Sequence, residues 1–166
     1  MKTFCLTMII AVFVLLSTNG IQAQGTQTKL NQVELMKQFI GSWKSVVAKD
    51  TTSFYDIKSY GSGLECNFKY VSKGKTVMEG KQIWGYSKGI DKYIVSAMVK
   101  GMDLELYSIW FTSKDKYIQL SYGDISNPEN AAIKVEGVFK SPVMAVETTI
   151  INNKPVKTDT FNREKK

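Results

Sequence analysis

Between residues 64 and 70 apolar and polar side chains alternate. Leu64, Cys66, Phe68 and Tyr70 fall on one side, and Glu65, Asn67 and Lys69 on the other. A period of two is that of a strand with one face on a core and the other in water. Comparable runs cover residues 43–49, 54–60, 77–86, 92–100, 104–112, 117–122, 133–140, 143–151 and 156–163. Short polar connections separate them, among them Ser72-Lys73-Gly74-Lys75, Ser87-Lys88-Gly89, Lys100-Gly101-Met102-Asp103, Ser113-Lys114-Asp115-Lys116 and Asn152-Asn153-Lys154-Pro155. These are hairpin lengths, so consecutive runs are predicted to pair antiparallel.

A meander of about ten strands has two open edges to hide. An up-and-down barrel hides them by closing the sheet on itself, and a two-sheet sandwich is the alternative. The expectation is an all-β, up-and-down antiparallel barrel. Some runs are apolar on both faces, with Tyr107, Ile109 and Phe111 opposite Leu104, Leu106 and Trp110. A wall covered by a helix or by another chain accounts for that pattern. Residues 123–130, which contain Asn127-Pro128, show no period and are read as a loop at the barrel rim.

One short segment is helical in period. Asn31 is placed to cap it with Glu34 three residues on; Val33, Met36, Phe39 and Ile40 share a face, and Gly41 stands at a C-terminal stop. This helix is expected to close one end of the barrel. Residues 24–29 are polar and read as a flexible leader, with the barrel domain over 30–166. Residues 1–23 have Lys2, an apolar run over 4–16 broken by Thr7, and then Ser17-Thr18-Asn19-Gly20. An apolar run of that length falls short of the roughly 20 residues of a membrane span and has the form of a cleaved signal peptide. The cut is placed near Ala23, with Ile21 three residues before it. The stretch Gln22-Ala23-Gln24-Gly25 offers no cysteine for a lipid. The chain is thus expected to be exported, periplasmic or secreted, and soluble after cleavage.

Composition narrows the chemistry. The 166 residues are 43% hydrophobic and 22% charged with 3 Pro and 12 Gly, the profile of one globular domain. Lys and Arg number 22 against 15 Asp and Glu, for a formal charge of +7. Loss of Lys2 with the signal would leave +6. The basic residues are spread along the chain without a dense stretch, so no nucleic-acid partner is expected. There is no histidine, which excludes an imidazole base, a His-ligated metal and a His-ligated haem. Of the 2 Cys, Cys5 lies in the signal and Cys66 stands alone in the domain, which leaves no intramolecular disulfide and reads as a buried apolar residue. Gly61-Ser62-Gly63 joins two strands without the helix of a phosphate site, and Asp103, Glu105, Asp115 and Asp124 lack calcium-loop spacing. No catalytic constellation emerges; no enzyme, metal or cofactor is expected.

The helix that leads into Phe39-Ile40-Gly41-Ser42-Trp43-Lys44 resembles the G-x-W signature of lipocalins and the wider calycin superfamily. The ending Thr158-Asp159-Thr160-Phe161-Asn162-Arg163-Glu164 is similar to the calycin last strand. The resemblance covers nearly all of the domain in architecture and about ten residues in motif. It implies a structural closure by Gly41, Trp43 and Arg163, with the arginine packed across the indole. The strand number exceeds the eight of most lipocalins. The lid of fatty-acid-binding proteins is missing, because only Asp50-Thr51-Thr52-Ser53 separates the first two strands. A bacterial exported lipocalin-like domain is the nearest match.

In a small barrel one side chain in two points inward. By alternation Cys66, Phe68, Tyr70, Met78, Gln82, Trp84, Ser108, Trp110, Gln119, Ser121, Glu147 and Thr149 are assigned to the interior. All of these but Cys66 are the cavity candidates. Their mixture of aromatic and uncharged polar groups suits a small, mostly hydrophobic or amphipathic ligand. The same residues could fill the barrel and leave no room. Glu147 is the one carboxylate in the run 143–151, and either face remains open to it. The eight tyrosines, Tyr55, Tyr60, Tyr70, Tyr86, Tyr93, Tyr107, Tyr117 and Tyr122, either rim a pocket or offer a surface to a protein. Two functions therefore compete: a binding protein for a small apolar ligand, and a protein-interaction module, an inhibitor or envelope-complex subunit, with a filled core. An enzyme would require Glu147 in a pocket beside a tyrosine or lysine.

Overall fold

The computed structural model describes residues 29–165. The segment 1–23, expected to be a signal peptide, and all of the expected leader but its last residue lie outside them. The described chain starts with a helix α1 (Gln32–Met36) that runs into a 3-10 turn (Lys37–Phe39). Ten strands follow: β1 (Gly41–Ala48), β2 (Thr51–Tyr60), β3 (Gly63–Ser72), β4 (Lys75–Ser87), β5 (Lys92–Val99), β6 (Glu105–Phe111), β7 (Lys116–Ser121), β8 (Ile133–Ser141), β9 (Met144–Ile151) and β10 (Lys154–Arg163). Every strand pairs antiparallel with its neighbours in sequence, and β1 pairs with both β2 and β10, so the sheet closes into a barrel. The alternating runs therefore become one cylinder, and the sandwich does not form. Among the described residues no helix is long and apolar enough to cross a membrane.

The helix ends where the barrel begins, and its carbonyl groups need partners there. Trp43 donates its indole N–H to the Phe39 carbonyl at 2.7 Å, and Arg163 Nη2 donates to the Gln38 carbonyl at 2.7 Å. The guanidinium carbon lies 4.5 Å from the Trp43 ring centroid, and the two residues face each other in the β1–β10 register. Gly41 begins β1 instead of merely stopping the helix. Its φ is +137°, and a Cβ there would lie 3.5 Å from three atoms of the Arg163 side chain. That distance is an ordinary contact, so it is the backbone angle, which L side chains rarely adopt, that calls for glycine at the entry to the first strand.

At the helix start, Asn31 accepts from the Glu34 N–H at 3.2 Å. Gln32 does what periodicity did not signal. Buried, it donates to the Phe111 carbonyl at 2.9 Å and accepts from the Phe111 N–H at 2.7 Å, tying α1 to the end of β6. Phe39 then enters the barrel and meets Trp84, Phe111, Tyr117 and Phe139 edge-on at centroid distances of 4.8–6.0 Å. This aromatic floor closes one end. The turns β1–β2, β3–β4, β5–β6 and β9–β10, together with the longer β7–β8 connection, form the open end.

The strand β6 faces the opposite way from the sequence assignment. Tyr93 pairs with Ile109 and Val95 with Tyr107, so Tyr107, Ile109 and Phe111 point inward while Ser108 and Trp110 point outward. The strand is apolar on both faces, and the small polar Ser108 suggested a pocket position. Ser108 is buried all the same, on the outer wall, as is Leu120. The segment after β7, with 3-10 turns at Tyr122–Asp124 and Pro128–Asn130, touches β6. It is thus more than a rim loop. Trp110 lies outside beneath the Lys92 ammonium, 3.7 Å from its ring centroid.

The closure predicts its own weak point. Arg163→Met keeps the stem but removes the cation–π contact and leaves the Gln38 carbonyl without its donor. A loss of about 2–4 kcal/mol is expected by adding the two contributions, measured by urea unfolding with an unchanged m-value.

Candidate functional site

Two adjoining spaces occupy the barrel axis. The lower, about 130 Å³, stands on the floor and is lined by Phe39, Trp43, Ile57, Trp84, Ile109, Tyr117, Phe139 and Ala145. The upper, about 370 Å³, lies toward the open end between Val47, Phe68, Tyr70, Met78, Val99, Tyr107 and Thr149. Five residues, Tyr55, Gln82, Gln119, Glu147 and Phe161, line both and form a collar between them. A larger groove, about 770 Å³, runs along the outer faces of β1 to β5, but its wall is charged, with Lys100 and Glu79 paired within it at 3.2 Å.

One row of the sheet sets the carboxylate of the collar, Glu147. Tyr117 on β7 pairs with Gly137 on β8, Gly137 with Glu147 on β9, and Glu147 with Asp159 on β10. A Cβ at Gly137 would fall 2.0 Å from the Tyr117 ring. The missing side chain is what lets the tyrosine lie across β8 and donate its hydroxyl to Glu147 Oε1 at 2.6 Å. On the facing wall the Tyr55 and Tyr70 hydroxyls are 2.7 Å apart. Trp84 donates to Gln82 Oε1 at 3.0 Å, Tyr107 donates to Glu105, and Lys157 pairs with Asp159 at 2.8 Å.

Donors and acceptors are therefore unequal inside. The protons of Tyr107 and Tyr117, the indole N–H of Trp84 and the Lys157 ammonium are already directed to protein oxygens. A carboxylate has room for about four hydrogen bonds, and Glu105, Glu147 and Asp159 all line the upper space or the collar. The charged groups of the cavity are thus three carboxylates against one ammonium, and Lys157 commits one of its three donors to Asp159. Burial raises the Glu147 pKa above the ordinary 4.5; Asp159 adds to the rise, and the Tyr117 hydrogen bond and Lys157 oppose it. Burial, and then the adjacent Glu147, carries the Tyr117 hydroxyl well above the usual tyrosine range. Tyr55 is raised likewise by burial and by Tyr70. Cys66 faces inward but lines neither space, and burial pushes its thiol up to about 12.

Of the residues assigned from alternation, Phe68, Tyr70, Met78, Gln82, Trp84, Gln119, Glu147 and Thr149 line this cavity. Met78 does so at the mouth, where it is exposed. Ser108 and Trp110 do not, because β6 faces the other way. Ser121 is exposed and borders a separate crevice with Leu106, Leu120, Ile133 and Val135. Tyr55, Tyr107, Tyr117, Asp159 and Phe161 also line the cavity, and sequence reasoning did not assign them. For Tyr55 a signal existed in the alternation Ser53, Tyr55, Ile57. Among the described residues no group of His, Cys, Asp and Glu could hold a metal ion.

Two predictions follow from the row. Gly137→Ala forces the Tyr117 ring off the strand and should cost about 1–3 kcal/mol as an overpacking change. Gly85→Ala, where a Cβ meets nothing within 4 Å, should be close to neutral in the same denaturation assay. The second concerns Glu147, which faces Tyr117 from β7, Lys157 and Asp159 from β10, and Tyr55 from β2. With its pKa raised on folding, the native state holds the proton more tightly, so stability falls as pH rises from the ordinary value through the folded one. Glu147→Gln keeps an acceptor for Tyr117 and removes that fall. The variant should match the parent near pH 4 and melt above it at pH 7.5, checked by thermal unfolding across pH.

Compared with the models of known protein families and with curated proteins, the chain matches none.

Proposed function

We propose that this chain is an exported, lipocalin-like binding protein that holds a small, mostly hydrophobic molecule inside the barrel. The observation that carries the reading is the hollow axis: about 370 Å³ above the collar and about 130 Å³ below it. The larger of the two alone falls in the size range of small-molecule sites. A solid interior is the requirement of the competing reading, an interaction module with a filled core, and this space weighs against it. The seat of Arg163 across Trp43 supports the lipocalin-like assignment.

The wall chemistry describes the ligand. Aromatic and aliphatic groups make the floor, so the apolar end belongs below the collar. At the collar and mouth three carboxylates, Glu105, Glu147 and Asp159, stand against one ammonium, Lys157, so a cationic, hydrogen-bond-donating end, an amine before a carboxylate, fits best. The reading is of binding, although Glu147 does lie in the pocket with the Tyr117 hydroxyl at 2.6 Å, the placement an enzyme would require. The Tyr55 and Tyr117 hydroxyls are held protonated by burial, the one described thiol is buried outside the cavity, and no imidazole exists in the chain.

The test uses a neutral fluorescent probe, N-phenyl-1-naphthylamine. It should bind with a fluorescence rise, and octylamine should displace it at a concentration at least tenfold below octanoate. Thr149→Trp, which fills the upper space, should weaken probe binding at least tenfold without lowering the unfolding midpoint. Absence of probe binding, together with a bare mass in native mass spectrometry, would remove the reading. A co-purified polypeptide would favour the interaction module.

A further inference from the structure

The two ends of the barrel differ in what they show to solvent. Of the fourteen exposed large apolar residues among those described, eleven lie in the open half of the barrel or on its connections; Tyr60, Ile90 and Val143 are the three at the closed end. Both ends are made of the same kind of short antiparallel connection, so hairpin geometry does not produce the difference. Val46, Val77, Met102, Leu104, Ile151 and Val156 are 39–73% exposed around the mouth.

Charge follows the same arc. Strand order places the β9–β10, β1–β2, β3–β4 and β5–β6 turns side by side around the open end, because β10 adjoins β1. These four carry Lys154, Lys49, Lys73, Lys75 and Lys100, with Asp50 and Asp103 as the acidic residues of the same turns. The fifth connection, between β7 and β8, has Asp124 and Glu129 and no lysine. All four adjacent tips are thus apolar and lysine-bearing; β3–β4 and β9–β10 are net basic, the lysines of β1–β2 and β5–β6 are balanced by Asp50 and Asp103 with Glu105 beginning β6, and the remaining side is acidic.

From this we infer that the open end docks on the surface of an anionic lipid bilayer, with the four lysine-bearing tips down and the β7–β8 connection turned away. Apolar side chains at hairpin tips enter the headgroup region while lysines beside them meet lipid phosphates, the combination by which peripheral proteins hold to charged membranes. The inference is independent of the cavity's ligand: a barrel that binds nothing could dock, and a binding barrel could stay in solution.

Flotation with vesicles of phosphatidylglycerol and phosphatidylcholine, against phosphatidylcholine alone, reads the docking directly. The protein should float with the anionic vesicles at low salt, and much less in 0.5 M NaCl. Lys49→Glu/Lys73→Glu/Lys75→Glu should weaken partitioning at least tenfold, and Met102→Ser/Leu104→Ser several-fold. Lys88→Glu/Lys114→Glu/Lys116→Glu makes the same charge change at the closed end and should alter partitioning less than twofold. Equal loss from the two lysine triples would overturn the inference in favour of unoriented attraction. Failure to float with anionic vesicles would overturn it outright. A dimer in sedimentation velocity that Met102→Ser/Leu104→Ser dissolves would assign the apolar rim to a second copy instead.

Discussion

The barrel depends on its thinnest seam. The other neighbouring strands match five or more residues, whereas β1 and β10 match two, Trp43 with Arg163 and Lys44 with Asn162. A ladder that short leaves little backbone hydrogen bonding to hold the ends of the sheet together. The side chains supply the difference. The indole and the guanidinium stack on each other, and each donates to a carbonyl at the end of the helix segment. One contact therefore closes the cylinder, terminates the helix and positions Phe39 for the aromatic floor. The floor exists only if the seam holds, and the cavity has a bottom only if the floor exists.

Above the floor the interior changes character because the sheet supplies one glycine where bulk would otherwise stand. Gly137 lets Tyr117 cross a whole strand and reach Glu147. A carboxylate taken from water into such a place is destabilising unless something compensates, and a single phenol bond does so only in part. A glutamine would accept the same bond without the cost of charge. A residue that weakens the fold while facing an open space is accounted for more readily by what enters that space than by the stability of the wall.

Much of this architecture was legible before any coordinates. Period-two alternation located all ten strands within three residues at each end, because every strand borders both water and a core. The same alternation also placed Gln82 and Gln119 on the inner face, where large and small or polar and apolar positions differ clearly. It failed on β6, whose two faces are both apolar because the outer one is covered by the β7–β8 segment. A local pattern carries no record of what a distant segment will cover. Nor could it show Gln32 bridging to Phe111, a contact between residues 79 positions apart, or choose the face of Glu147. That choice was made by register across β7, β8 and β9, and the only local trace of it is a glycine in the middle of β8.

The contrast between the two ends of the barrel bears on how such a cavity could fill. An apolar molecule in water reaches a recessed site slowly when its free concentration is low, and most of it resides in membranes or on carriers. A mouth with exposed Val77, Met102 and Leu104 shortens that path only if those side chains meet the phase in which the molecule dissolves. The same residues reduce solubility when they face water, so their confinement to one end separates a surface for contact from a surface for solution. The closed end has the opposite task. Its Trp43, Arg163 and Phe39 must exclude water from below, and they do so with the indole N–H and one guanidinium N–H given to the helix end, while Arg163 Nε is buried without a partner. On the proposed function, the two ends are complementary answers to one constraint, a hollow axis sealed from water on one side and open to an apolar solute on the other.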